Sequence, residues 1–345
     1  MRNREMTAAR IAKKDEFYTN IADICKEMQN YDFNGMIVYC NCDNPQESAF
    51  WEYFHKNFAR LGLNKLLSTY LGNPSFLTVY AGGDDNDVSC GVKTPLHENG
   101  DFRSEECLNL LEASDIVTSN PPFSLFRQYL SLLFQYNKKF IVLGNLNEAV
   151  CKDVFPHFRN NELWFGKSIH SGDRKFYVPD DYPLSAAGCG VDEKGKYIHV
   201  KGVRWYTNMD FPRPFLETSA VYDASIYLRY DDCPAINVPR VKDIPLDYDG
   251  VMGVPVTFLD KYNPKQFDIV AFRKNSDLVF TREMEEDFNK TFWNDRSKKE
   301  LWKKSGRSLE PIDFFYPNAT KGACGITRSF LNGKQTYARI LIRRK

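Results

Sequence analysis

Apolar positions along the chain change period several times, and the changes outline an α/β protein. From Thr7 to Asn30 they recur at helical spacing, with Ile11, Ile21, Ile24 and Met28 on one side and the run Lys13 to Thr19 interrupting them. Met36 to Cys40 is an apolar run of strand length. A polar turn, Asn41-Cys42-Asp43-Asn44-Pro45, leads from it into a helical stretch, Glu47 to Arg60, with Phe50, Trp51, Phe54 and Phe58 on one side. Lys65 to Tyr70 predicts a second strand, and strand, turn, helix, strand is a βαβ unit with a right-handed crossover. Phe76 to Ala81 predicts one arm of a hairpin lying off the sheet. Gly100 to Ser104 leads into a helix through Leu108, Leu111 and Ala113. Asp115 to Ser119 predicts a strand, Ser124 to Tyr136 its helix, Lys139 to Leu143 another strand, and Asn147 to Phe155 a further helix. Alternation of this kind over residues 31 to 155 predicts a doubly wound sheet.

Beyond residue 160 the pattern breaks into short strand-like pieces: Leu163 to Phe165, Lys175 to Val178, Val203 to Thr207 and Ile340 to Ile342. The first two read as a terminal hairpin of the sheet. From about Asp210 a smaller, irregular domain is predicted, with 275 to 321 a polar helical insertion or arm. The domain reading is therefore 1–30, a helical segment; 31–209, the sheet domain; and 210–345, a second region.

Composition narrows the class. The 345 residues are 43% hydrophobic and 26% charged, enough for one large or two moderate domains. No apolar run is long enough to cross a bilayer, and the start, Met1-Arg2-Asn3-Arg4, lacks a signal-peptide core, which implies a cytoplasmic protein with no membrane partner. Nine cysteines without paired Cys-x-x-Cys elements indicate neither a disulfide framework nor a zinc site, so no metal is expected. The net charge of +1 hides an asymmetry, because from Lys261 onward 19 Lys and Arg face 10 Asp and Glu. A basic segment of this kind is a candidate phosphate-binding surface, or a solvated face of mixed charge.

The candidate chemistry sits at Asn120-Pro121-Pro122-Phe123, directly after the strand Asp115 to Ser119. In an open α/β sheet, ligands bind beyond the carboxyl ends of the strands. An asparagine amide oxygen and the carbonyl of a proline-locked residue can accept hydrogen bonds from one exocyclic amine, and Phe123 can stack on the ring that carries it. An enzyme that acts on a flipped base needs such a set. Taken alone, the tetrapeptide is also compatible with a strand-to-helix turn built on two prolines. A cytosine C5 methyltransferase would need a Pro-Cys nucleophile, whereas Cys233 precedes its proline. No Pro-Asp…Asp/Glu-x-Lys endonuclease cluster stands out.

The tetrapeptide resembles the Asn/Asp-Pro-Pro-aromatic signature of amino-methyltransferases that use S-adenosylmethionine. Together with Asp15 to Thr19, Val38 to Asp43, Gly100 to Ser104, Asp115 to Arg127, Val251 to Asp260 and Ala338 to Ile342, it makes the chain resemble the EcoRI-type family of adenine-specific DNA methyltransferases over most of its length. The resemblance implies a Rossmann-like methyltransferase sheet with a C-terminal target-recognition region, and methyl transfer to N6 of a flipped-out adenine in double-stranded DNA. It implies that Asn120 and Pro121 accept from N6, that Pro122 completes the catalytic motif, and that Phe123 stacks on the base. Phe17, Tyr18 and Thr19 would close over the methionine moiety, and Asn41, Asp43, Asp101 and Phe102 would line the cofactor site. A restriction endonuclease acting on the same sequence would be a functional partner. GAATTC is the target that the family suggests, with divergence in 275 to 321 able to change it.

The usual glycine-rich cofactor loop is replaced by Asn41 to Pro45. Asp43 has a competing structural role as the cap of the following turn, and Asp101 could equally cap the helix after Ser104. Sequence readers are sought in Arg204 to Asn208, around Arg213, and in Lys298, Lys299, Lys303, Lys304 and Arg307, with Trp293 and Trp302 as packing residues. The motif also leaves room for methylation of RNA adenine or protein glutamine, or for an inactive DNA-binding relative.

Overall fold

In the computed structural model, the described residues are 17–180, 182, 184, 188–231, 234–274, 277–278, 300, 330–332 and 334–345. They group into two compact units, one reaching to Val154 and resuming over Glu162–Pro212, the other made of Phe155–Asn161 and the described residues from Arg213 on. The segment 7–16 of the first predicted helix, and most of 275 to 321 with the lysines and tryptophans singled out there, lie outside the described residues. Among the described residues no helix is long and apolar enough to cross a membrane.

The described part of the first unit begins with a strap, Phe17–Asn20, and helix α1 (Ile21–Met28), whose N-terminus is capped by Asn20 through Ala22 N–H. Then follow β1 (Ile37–Cys40), α2 (Ala49–Lys56), α3 (Phe58–Leu61), β2 (Lys65–Ser68), β3 (Phe76–Tyr80), β4 (Val92–Pro95), α4 (Glu105–Ala113), β5 (Ile116–Ser119), α5 (Phe126–Gln135) and β6 (Lys139–Asn145). Ser48 caps α2 by accepting from Phe50 and Trp51 N–H, and Ser104 caps α4 by accepting from Cys107 N–H. The sheet order is β4-β3-β2-β1-β5-β6-β11-β7, with β7 (Trp164–Phe165) and β11 (Val203–Thr207) completing it. The four central strands, β2, β1, β5 and β6, run parallel, and the flanks are antiparallel. Strand order reverses between β1 and β5, which is the switch point where such sheets open a crevice.

Several expectations are corrected. The Phe76 arm is not an excursion: β3 and β4 extend the sheet beyond β2. Asn147 to Phe155 is not one helix but a 3-10 turn, Leu146–Val150, and a separate short helix α6 (Phe155–Arg159). Pro156 explains the break, since proline suits a first helical turn and disfavours helix in the residue before it. Only Trp164 and Phe165 of the expected terminal hairpin join the main sheet. Lys175 falls in β8 (Asp173–Tyr177), which pairs with β10 (Gly195–Lys201) beside β9 (Gly190–Asp192) in a separate three-stranded sheet. Phe50, Trp51, Phe54 and Trp205 are almost completely buried in the core, with the Phe50 and Trp205 rings edge to face at 5.9 Å.

The second unit is built on a five-stranded sheet, β12-β13-β18-β14-β15, from β12 (Ala235–Asn237), β13 (Val251–Val254), β14 (Phe267–Lys274), β15 (Asp277–Leu278) and β18 (Arg339–Arg344). A two-stranded ribbon, β16 (Phe330–Leu331) with β17 (Lys334–Gln335), accompanies it. The family string Val251 to Asp260 supplies β13 and the 3-10 turn after it. A Cβ on Gly253 would lie 2.5 Å from the Tyr230 hydroxyl, so a larger side chain here would have to displace the Tyr230 ring. α6 belongs to this unit, its Phe155 ring 5.3 Å from Phe272.

Candidate active site

β1 and β5 are paired through Val38–Ile116 and Tyr39–Val117, which brings their carboxyl ends together. Asn41 to Asp43 leave one end and Asn120 leaves the other. The two loops are tied by Ser119, whose hydroxyl donates to Asp43 Oδ2 at 2.6 Å, while Ser48 donates to Oδ1 at 2.7 Å. Asp43 N–H donates to the Thr69 carbonyl, and its own carbonyl accepts from Ser68. Asp43 therefore joins three strand ends. Burial pushes its carboxyl up to about 6, against the two serine hydrogen bonds that pull it down.

A cavity opens over these ends. Phe17, Tyr18, Thr19, Asn41, Asp43, Asp101, Phe102, Asn120 and Pro122 line it, so nine of the sequence-selected residues meet at one place. Pro121 and Phe123 do not line it. Phe123 is buried, with its ring edge to face against Phe17 at 5.5 Å and against Phe176 at 6.2 Å. The strap crosses the cavity by pairing Tyr18 with Tyr177 through two backbone hydrogen bonds. Asn120 Nδ2 donates to the Phe17 carbonyl at 2.5 Å. Its Oδ1 is buried with no hydrogen-bond partner, and so is Thr19 Oγ1. Buried polar atoms without partners are costly, so an amide oxygen and a hydroxyl on the wall of one cavity mark a place for a polar ligand.

Asp101 does not cap α4, since Ser104 does. Its carboxylate instead accepts from Arg103 N–H, Nε and Nη2 at 2.9, 2.8 and 2.5 Å, and Arg103 holds it below the usual carboxylate range. Phe102 packs edge-on against Tyr129 at 5.1 Å, and the Tyr129 hydroxyl donates to Asn41 Oδ1. Sequence reasoning missed Glu47, Tyr70, Leu71, Gly100 and Leu125, which also line the cavity. Tyr70 and Leu71 follow β2, so the rule that ligands sit beyond strand ends was a usable signal for them. The residues fit a nucleoside carrying cationic groups: aromatic Tyr70 and Phe102, three carboxylates, and no Lys, Arg or His among the described lining residues.

Arg204 to Thr207 are corrected as base readers. They form β11 inside the sheet, where the Arg204 guanidinium, 3% exposed, donates to the Val203 and His170 carbonyls. Asn208 bonds Phe140 N–H and the Lys138 carbonyl. Arg213 is half-buried and donates to Asn161. Lys298, Lys299, Lys303, Lys304, Arg307, Trp293 and Trp302 lie outside the described residues.

Comparison with known proteins concerns the chain as a whole. A family model described as "Adenine-specific methyltransferase EcoRI" matches residues 5–345. The chain is similar to the type II methyltransferase M.EcoRI of Escherichia coli, 41% identical over 303 residues, which cover 80% of this chain and 91% of that relative. It is also similar to the type II methyltransferases M.MgeORF184P of Mycoplasma genitalium, 40% identical over 272 residues covering 76% and 84%, and M.MpnI of Mycoplasma pneumoniae, 37% identical over 271 residues covering 76% and 83%. No solved structure matches the chain.

Proposed function

Because the chain belongs to the EcoRI family of adenine-specific methyltransferases, DNA enzymes that use S-adenosylmethionine, we propose that the cavity beyond β1 and β5 is where the methyl group is transferred to adenine N6. The observation that carries this reading is the unpartnered Asn120 Oδ1 on the cavity wall. S-adenosylmethionine supplies, when bound, a methyl group on a positively charged sulfur. Asn120 Oδ1 and the Pro121 carbonyl accept the two N6 hydrogens and favour the pyramidal nitrogen, whose lone pair is otherwise delocalised into the ring. Holding that nitrogen in line with the methyl carbon supplies much of the rate. Asn120 Nδ2 remains on the Phe17 carbonyl, which keeps Oδ1 turned to the base. Phe123 offers its ring to the flipped base once the Phe17 side chain turns aside.

Asn41, Asp43, Asp101, Phe102 and the strap Phe17 to Thr19 hold the cofactor in this reading, and residues 210–345 carry target recognition. The reaction takes place in the cytoplasm. A separate restriction endonuclease directed at the same sequence would be the functional counterpart, and DNA from cells expressing this chain should resist such a nuclease. The central test is to incubate purified protein with mixed-sequence duplex DNA and labelled S-adenosylmethionine and identify the labelled nucleoside. Label in N6-methyladenine that falls by about 10²–10³ in Asn120→Ala, the usual loss for one preorganised transition-state hydrogen bond, is the expected result. A variant that binds cofactor normally and keeps most of its activity would remove Asn120 from the chemistry.

A further inference from the structure

Three carboxylates line the cavity, Asp43, Glu47 and Asp101, and two of them have both oxygens bonded within the protein. Both oxygens of Asp43 accept from serines, and both oxygens of Asp101 accept from Arg103. Glu47 differs. The Tyr18 hydroxyl at 3.0 Å and Asn44 Nδ2 at 3.4 Å both donate to its Oε2, and no donor among the described residues reaches Oε1. A second, independent mark of a ligand stands on the same wall, where Thr19 Oγ1 is nine-tenths buried and has no partner.

On the reading that this cavity holds the cofactor, we propose that Glu47 binds the α-ammonium group of its methionine end, with the Thr19 hydroxyl serving the adjoining carboxylate. The ammonium brings three donors into a cavity that offers one uncommitted carboxylate oxygen. Either donor makes a charge-assisted hydrogen bond to the carboxylate, but only the ammonium carries the opposite charge, so Coulomb attraction favours it over the ribose hydroxyls. Asp43 is buried with a serine hydroxyl on each oxygen and Asp101 is already paired with the Arg103 guanidinium, whereas Glu47 has an oxygen that accepts from no described residue. Tyr18 links this residue to the strap, so occupation of Oε1 also steadies the segment that crosses the cavity.

The ammonium is present in S-adenosylhomocysteine and absent from its deamino analogue, 5′-S-(3-carboxypropyl)-5′-thioadenosine, and both can be titrated calorimetrically into the full chain without turnover. Glu47→Gln keeps an acceptor for the Tyr18 hydroxyl. It is expected to weaken S-adenosylhomocysteine about tenfold and to leave the deamino analogue within about twofold, the difference reflecting one charge-assisted hydrogen bond. Equal weakening of both ligands would assign Glu47 to the ribose or to the strap and overturn the proposal, as would no weakening of either. Tyr18→Phe removes the hydroxyl that donates to Glu47 while leaving the carboxylate in place, and reproduction of the selective loss by that variant would likewise overturn the proposal. A wild-type chain that binds neither ligand would overturn the cofactor reading of the cavity itself, and this inference with it.

Discussion

Asn120 is held through its amide nitrogen and unpartnered at its amide oxygen, and that division makes its replacement by aspartate informative. A carboxylate can accept from adenine N6, so Asn120→Asp preserves one half of the residue's proposed work. It cannot donate to the Phe17 carbonyl, which lies at 2.5 Å from Nδ2, and two acceptors at that distance repel. Protonation restores a donor. Activity of the variant should therefore be low at neutral pH and rise, relative to wild type, as pH falls toward the carboxyl's titration; a pH-independent ratio in steady-state assays would sink the idea. Asp43 titrates for a different reason, since burial raises its carboxyl to about 6. The folded value lies above that of an unfolded Asp, so the folded state binds this proton more tightly. The stabilisation is fully present below about pH 4 and is lost as pH rises through about 6, a swing on the order of 2–3 kcal/mol. Denaturation curves of wild type should show that loss relative to Asp43→Asn, which does not titrate, and parallel stability profiles from pH 4 to 8 would refute it. Asn120 was legible in the sequence because its motif is contiguous. The surroundings of Asp43 were not, because Ser119 reaches it from another strand.

At the scale of elements, the parallel centre of the sheet was legible and its flanks were not. Met36 to Cys40, Lys65 to Tyr70, Asp115 to Ser119 and Lys139 to Leu143 are apolar runs of strand length, and buried parallel strands read in that way. Val203 to Thr207 is equally buried but pairs antiparallel with β6 across a long stretch of chain, and it carries Arg204, whose charge hides its burial from any reading by composition. Loops set by a single close approach are also opaque. Gly100 has φ +74°, and a Cβ there would stand 2.1 Å from the Tyr70 carbonyl oxygen. The glycine lets the loop bearing Asp101 and Phe102 lie against the end of β2, so both sides of the cavity depend on it. Gly100→Ala should cost about 1–3 kcal/mol for the backbone alone, and the displaced loop should weaken cofactor binding further than the stability loss explains. Calorimetric titration beside a thermal melt checks this, and unchanged binding would mean that the loop does not shape the cavity.

At the scale of the molecule, the chain folds into two units with separate sheets and cores, and the cavity with all its lining residues belongs to the first. The family strings therefore carry unequal information. The described parts of those before residue 130 border the cavity, whereas Val251 to Asp260 and Ala338 to Ile342 supply β13, the turn after it and β18, the interior of the second sheet. Their likeness to the family reflects packing around Gly253 and Tyr230 and says little about which bases are read; the basic stretch expected to matter there lies outside the described residues. A ligand that binds one native unit stabilises that unit by mass action, by about 2.7 kcal/mol at a hundredfold excess over Kd. Two units with their own cores need not melt together. Scanning calorimetry of the full chain should then resolve two transitions, only one of which moves up with S-adenosylhomocysteine. Hydrogen exchange should assign that transition, with protection gained at β1, β5 and the strap and little change at β13, β14 and β18. A single transition that shifts as a whole, with protection gained evenly in both sheets, would show instead that the two units are energetically one and that ligand binding to the first reaches the second directly.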